Sequence, residues 1–206
     1  RLLIVGGTGQ TGRALVNQAL AQGHQVRVLA RNPERAATLP DAAEVQLGDA
    51  TDPKAVHAAV SDQDAVLCAI GGQGLGDSIT RSHATQHIVD AMHAQSVRRL
   101  VVCSVVGLGA SVTHLGWFSR MLTGTVLKHA LSDHQKQEEL VSASALEWVI
   151  FRPPQLTNGP LTEAYSLARE ADAFSASKVS RADVAHAMLR AVQSTKWVGQ
   201  RLSISS

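Results

Sequence analysis

The residues with the most chemical content stand at the start of the chain. Gly6-Gly7-Thr8-Gly9-Gln10-Thr11-Gly12 contains Gly7-x-Gly9-x-x-Gly12 and lies between the apolar run Leu2 to Val5 and a segment of helical period. Glycine lets the backbone turn tightly and approach a ligand, and the following helix aims its first N–H groups at whatever sits there. Strand, glycine turn and helix in that order therefore predict a pyrophosphate cradle and a dinucleotide site. The bland reading is a turn that binds nothing. A triphosphate loop does not fit, because no Gly-Lys-Ser or Gly-Lys-Thr follows. About 20 residues further on, an NAD site places Asp or Glu on the ribose 2′-hydroxyl. Here the run is Val28-Leu29-Ala30-Arg31-Asn32-Pro33-Glu34-Arg35. Arg31, with Arg35, offers guanidinium groups to a 2′-phosphate, which predicts NADP(H) in preference to NAD(H). Asp49, with Ala50 beside it, is placed to accept from the adenine amino group or to act only as a turn residue. Ala69-Ile70-Gly71-Gly72 follows the fourth apolar run and lets the backbone pass close to the cofactor.

Alternating strands and helices must hold these residues in place. Short apolar runs at Leu2 to Val5, Val26 to Leu29, Val45 to Leu47, Ala65 to Ile70, Leu100 to Cys103 and Trp148 to Phe151 read as strands. Thr11 to Gln22, Pro53 to Val60, Ser78 to Gln95 and Asp133 to Ser144 space apolar residues three or four apart and read as helices. Asp52, Asp77 and Ser180 are placed as N-caps, the last opening a helix over Val184 to Val192. The pattern predicts an α/β fold of Rossmann type, a doubly wound parallel sheet with helices on both faces, in a single domain over residues 1–206. The ligand then sits beyond the carboxyl ends of the strands. The irregular segments at about 105–130 and 153–178 follow strands, so both are expected to build the acceptor region.

Composition removes other classes. With 19 basic and 17 acidic residues among 206, the net charge of +2 supplies no stripe for nucleic-acid phosphates. No apolar stretch approaches the roughly 20 residues of a membrane span, and no signal pattern opens the chain, so a soluble cytoplasmic protein is expected. Cys68 and Cys103 lie in apolar runs and read as small buried hydrophobes. His83 and His87, with Asp90 three further on, share a helix face, but a solvated face explains them better than a metal site. Arg98 and Arg99 read as exposed charges. No metal is expected, and the oligomer is a monomer or a weak homo-oligomer, with the apolar segment Gly116 to Leu127 a candidate interface.

The chain resembles atypical short-chain dehydrogenases/reductases, in the NAD(P)-binding branch that includes NmrA-like proteins and the flavin reductase also called biliverdin-IX-beta reductase. The matching stretches are Gly6 to Gly12, Gly48-Asp49, Asp62 to Val66, Asp133-His134, Arg152-Pro153-Pro154 with Leu161 to Tyr165, and Ser180 to Val184. The resemblance covers nearly the whole chain. It implies that Gly71, Ser104, Pro153 and Pro154 surround the nicotinamide while a small acceptor stacks over it. Two departures matter. The Tyr-x-x-x-Lys pair of alcohol-oxidising relatives is missing: the segment that would carry it presents Ala130 and His134, and Tyr165 has no such lysine. Gln155 also stands where the flavin reductase has a histidine after Pro-Pro.

Hydride exchange between a nicotinamide and a flavin needs no strong protein acid or base, since the protein supplies orientation. The expected function is therefore NADPH-dependent reduction of a planar acceptor: free flavin as substrate, a quinone or a tetrapyrrole. Ser104 is expected to hydrogen-bond the carboxamide or acceptor, and His134, read as lying at a helix start, to donate a proton or to be only a surface histidine. Trp117 and Phe118 are candidates for a stacking wall or for plain packing, and Gln155 for an acceptor contact. The alternatives are a non-catalytic NADP(H) redox sensor of NmrA-like type and an epimerase-like assembly factor.

Overall fold

The computed structural model describes residues 1–71, 80–108, 128–170, 172, 174 and 177–206; for 128–130 only the helical backbone is described. Eight strands form the main sheet in the order β3-β2-β1-β4-β5-β6-β10-β8. They are β1 (Leu2–Val5), β2 (Val26–Ala30), β3 (Glu44–Leu47), β4 (Ala65–Cys68), β5 (Arg99–Cys103), β6 (Glu147–Arg152), β8 (Ser166–Arg169) and β10 (Gln200–Ser205). A separate parallel pair joins β7 (Gln155–Thr157) to β9 (Lys178–Ser180). The helices are α1 (Gln10–Ala21), the single turn α2 (Pro33–Ala36), α3 (Pro53–Val60), α4 (Thr80–Ala94), α5 (Lys128–Ala143) and α6 (Arg181–Gln193).

Alternate residues of the central strands feed two cores. Leu2, Ile4, Val28, Leu67, Val101, Val149 and Phe151 pack with α1 and α6 on one face. Leu3, Val5, Leu29, Val66, Leu100, Val102 and Ile150 pack with α3 and α4 on the other. Strands buried on both faces read as continuous apolar runs, which is why the sequence identified them. β1 pairs in parallel with both β2 and β4, Val5 facing Leu29 on one side and Cys68 on the other. The chain thus winds outward in both directions from β1, and a crevice opens between the carboxyl ends of β1 and β4.

Several expectations need correction. The fourth strand stops at Cys68, short of Ile70. α5 begins at Lys128, so His134 lies well inside the helix. β8 runs antiparallel to β10, and β10 itself, with Leu202 and Ile204 buried, was not anticipated. The 153–178 segment is not wholly irregular, since it carries β7 and β8. Arg99 is buried, with ion-pair contact to Glu147, while Arg98 reaches the same carboxylate from the exposed side. Burial raises the thiols of Cys68 to about 11 and Cys103 to about 12; Cys68 is the buried apolar filler expected, whereas Cys103 is only partly buried because it borders a cavity.

Candidate functional site

The glycine turn is shaped by what a Cβ would strike. Gly6 has φ +88, and a Cβ there would stand 2.5 Å from the Ala69 carbonyl oxygen. One on Gly12 would run into the Gly6 carbonyl, and one on Gly7 would lie 2.6 Å from Val28 Cγ1. Gly12 lets α1 close on the end of β1, Gly7 clears Val28 of β2, and Gly6 clears the chain just beyond β4. Among the described residues, by contrast, an added Cβ at Gly71 would meet nothing within 4 Å, and one at Gly9 only the Gly6 oxygen at 3.2 Å. Gly9 caps α1 without a side-chain hydrogen bond, and no acidic residue lies in the first turn, so the amides at Gln10, Thr11 and Gly12 face outward uncapped, as an anion requires.

Beyond the turn lies a cavity of about 440 Å³ lined by Gly6, Thr8, Gly9, Arg31, Arg35, Asp49, Ala50, Ile70 and Gly71, among others. Its wall is tied by side chains reaching backbone. Arg35 Nη2 donates to the Thr8 carbonyl at 2.9 Å. Arg13, which the sequence reading passed over, donates to the same carbonyl at 3.3 Å and to the Thr38 carbonyl at 3.1 Å, with a further bond to Thr38 Oγ1. Arg31 is exposed at the mouth. Asp49 Oδ1 accepts from the Thr51 amide and hydroxyl, both at 2.8 Å. Those bonds hold its carboxyl below the ordinary range, burial opposes them, and Arg31 adds to them. Asp49 is thus a turn residue that also lines the cavity.

A second cavity of about 210 Å³ adjoins the first, with Ile70 and Gly71 lining both. Thr11, Ala69, Arg81, Cys103, Ser104, Val105, His134, Pro153, Pro154 and Leu156 complete its lining. Here β5 and β6 continue their pairing past the strand ends. Ser104 N–H donates to the Phe151 carbonyl at 2.8 Å, and Val106 N–H to that of Pro153 at 3.0 Å. This brings Ser104 beside Pro153, and Ser104 Oγ shares a hydrogen bond of 3.4 Å with His134 Nδ1. Burial, then the nearby Arg81 charge, pushes His134 down to about 4, so it is neutral at pH 7 and stores no proton to donate. Gln155 is exposed at the start of β7, and its neighbour Leu156 faces the cavity instead. Gly72, Trp117, Phe118 and the proposed cap Asp77 lie outside the described residues.

The N-terminus of α4 is capped from α5. Asp133 accepts from the Arg81 and Ser82 amides at 3.1 and 3.0 Å and from the Ser82 hydroxyl at 2.7 Å. Arg81 Nη1 stands 3.3 Å from the same carboxylate. Burial alone would raise the Asp133 carboxyl, but the Ser82 hydroxyl, the two amides and Arg81 outweigh it and hold it low. The stretches Leu161 to Tyr165 and Ser180 to Val184 turn out to be one latch. Asp183 accepts from the Thr162 and Glu163 amides at 2.9 Å each and from the Ser180 hydroxyl at 2.8 Å. That part of 153–178 serves the scaffold.

The family described as NAD(P)H-binding matches residues 6–195. The chain belongs to that NAD(P)H-binding family. Among its relatives is an uncharacterized chloroplastic protein of Arabidopsis thaliana, 30% identical in an alignment 175 positions long that covers 79% of this chain. The chain spans 61% of that relative's length and about a third of other curated relatives that it matches. Among solved structures, a short-chain dehydrogenase/reductase from Veillonella parvula in complex with NADP covers all of this chain and 94% of its own, with a TM-score of 0.82 at 20% identity. ChuY, an anaerobillin reductase from Escherichia coli O157:H7, covers 99% and 96%, with a TM-score of 0.83 at 22% identity. At these identities the structural matches establish the shared Rossmann-type fold. Among the described residues, no three or more His, Cys, Asp or Glu cluster as a metal site, and no helix is long and apolar enough to cross a membrane.

Proposed function

We propose that this chain is an NADPH-dependent oxidoreductase that passes hydride to a small planar acceptor, such as free flavin, a quinone or a tetrapyrrole, as a monomer or weak homo-oligomer in the cytoplasm. The observation that carries the reading is that two cavities meet at Ile70 and Gly71. One end holds the glycine turn with Arg31 and Arg35, the other holds Ser104, Pro153 and Pro154, and Ile70 and Gly71 line both. A dinucleotide fits this groove on the chain's own features: a helix start without a side-chain cap, and, among the described residues, nothing crowding Gly71 and little crowding Gly9. In this reading the amides at Gln10 to Gly12 hold the pyrophosphate, Arg31 takes the 2′-phosphate, and Asp49 with Ala50 flanks the adenine. Ile70, Gly71, Ser104, Pro153 and Pro154 surround the nicotinamide. When bound, the reduced cofactor supplies the hydride. The chain's part is to orient the two partners and exclude water, which suits a site without a Tyr-Lys pair. The reductase name borne by the structural neighbour ChuY supports a reductase class.

One observation favours a second reading. With Ala130 and a neutral His134 in place of the catalytic pair, the groove also suits an NADP(H) sensor that changes partner affinity without turnover. Oxidation of NADPH, followed at the absorbance band of the reduced nicotinamide with and without free flavin or a small quinone, separates the two. Acceptor-dependent oxidation is expected. Tight NADPH binding with no oxidation for any acceptor would establish the sensor instead.

A further inference from the structure

Arg81 is an unusual resident of the acceptor cavity. Its side chain is only 7% exposed, it lines the cavity beside Ser104 and His134, and among the described residues its buried Nε–H has no acceptor. The guanidinium thus lacks its full set of partners, and a ligand oxygen that meets the part bordering the cavity would share a charge not fully spent inside the protein. Asp133 does not consume the positive charge. That carboxylate also takes the Arg81 and Ser82 amides and the Ser82 hydroxyl. It therefore answers both a full guanidinium charge and the roughly half charge of a helix N-terminus with a single negative charge. No carboxylate lines the cavity among the described residues, and His134, its only other ionisable base there, is neutral. The Arg81 charge is therefore only partly offset where it borders the cavity close to Ser104, on a side chain that is itself almost fully buried.

We propose that Arg81 forms a subsite for an anionic oxygen, so that the acceptor is a planar molecule carrying a carboxylate, or a conjugated carbonyl oxygen that becomes negative as hydride arrives. This deepens the reductase reading and rests on it for the identity of the ligand as acceptor, while the subsite itself can be tested by binding alone. The probes are 2-naphthoate and its neutral isostere 2-naphthamide, titrated by naphthalene fluorescence with and without saturating NADP+. A charge-assisted bond exceeds a neutral one enough that wild type is expected to bind the carboxylate about tenfold more tightly. Arg81→Met should abolish that preference, with NADP+ affinity kept, and Arg81→Lys should retain part of it. Equal affinity of the two probes for wild type, or no binding of either, overturns the proposal, as does a preference that survives Arg81→Met. The wild-type comparison and Arg81→Lys decide the matter even if Arg81→Met fails to fold. Turnover separates the two sources of charge. A raised KM for a carboxylate-bearing quinone at constant kcat in Arg81→Lys marks a substrate carboxylate, and a lowered kcat for an uncharged quinone marks an oxygen charged on reduction. Failure of the reductase reading looks different: naphthoate preference intact, and no oxidation of NADPH with any acceptor.

Discussion

Around the glycine turn the polar contacts run to backbone, with Arg13 and Arg35 both donating to the Thr8 carbonyl and Gly6, Gly7 and Gly12 placed by what surrounds them. Around Ser104, 30 residues of chain separate the serine from the histidine it meets, and a buried charge, Arg81 with Asp133, stands behind them. The first end is a shape that a contiguous stretch of sequence makes by itself. The second is assembled from side chains delivered by the ends of β4, β5 and β6 and by two helices. In the proposed reading the contrast teaches that a common cofactor can be held by backbone geometry, while the end around Ser104 depends on charges whose placement is open to change.

Substitutions test whether the two ends fail differently. The largest effect is expected from Asp133→Leu, which leaves the buried Arg81 uncompensated. Losing one partner of a buried pair costs about 3–5 kcal/mol, read as a fall in the urea midpoint. The acceptor end should also carry a pH signature. His134 titrates near 4 in the fold against about 6.5 unfolded. The unfolded chain therefore binds more protons in between, and stability is lost as pH falls from 6.5 towards 4, by at most about 3 kcal/mol. His134→Gln should flatten that part of the profile, while the loss from Asp133, whose carboxyl is held low, should persist at still lower pH. At the turn, Gly6→Ala forces a Cβ onto the Ala69 carbonyl at positive φ, an overpacking cost of about 1–3 kcal/mol, with no change in the pH profile. A pH profile that altered equally for Gly6→Ala and His134→Gln would erase the distinction between the ends. Arg31→Ala should leave stability unchanged and weaken NADPH roughly tenfold to a hundredfold while sparing NADH, the loss of one charge-assisted contact of about 1.5–3 kcal/mol. Equal weakening of both would remove the 2′-phosphate role.

How much of this was legible follows from the same contrast. The central strands could be read because residues such as Ile4, Leu67 and Val149 are buried with neighbours on both faces, and the glycine motif is local. β10 was missed because Gln200-Arg201-Leu202-Ser203-Ile204-Ser205 alternates polar and apolar weakly, and its position beside β6 is set by long-range pairing. Arg13 was missed because Thr38 lies 25 residues away and the nearer contact is to the backbone carbonyl of Thr8, which leaves no mark in the residue types. Arg81 did leave a trace: with Thr85, Ile88 and Met92 it falls at i, i+4, i+7 and i+11, so a charge stood on the buried face of α4. Its partner Asp133 had been read as a helix start, which hid the pair.

The measurement closest to the central claim is a fluorescence titration of the wild-type protein with NADPH and, in parallel, NADH. A groove that holds the dinucleotide along the strand ends, with Arg31 at its mouth, predicts saturable binding of both and at least about tenfold tighter binding of NADPH. Binding of neither nucleotide, or indifference between them, would contradict it.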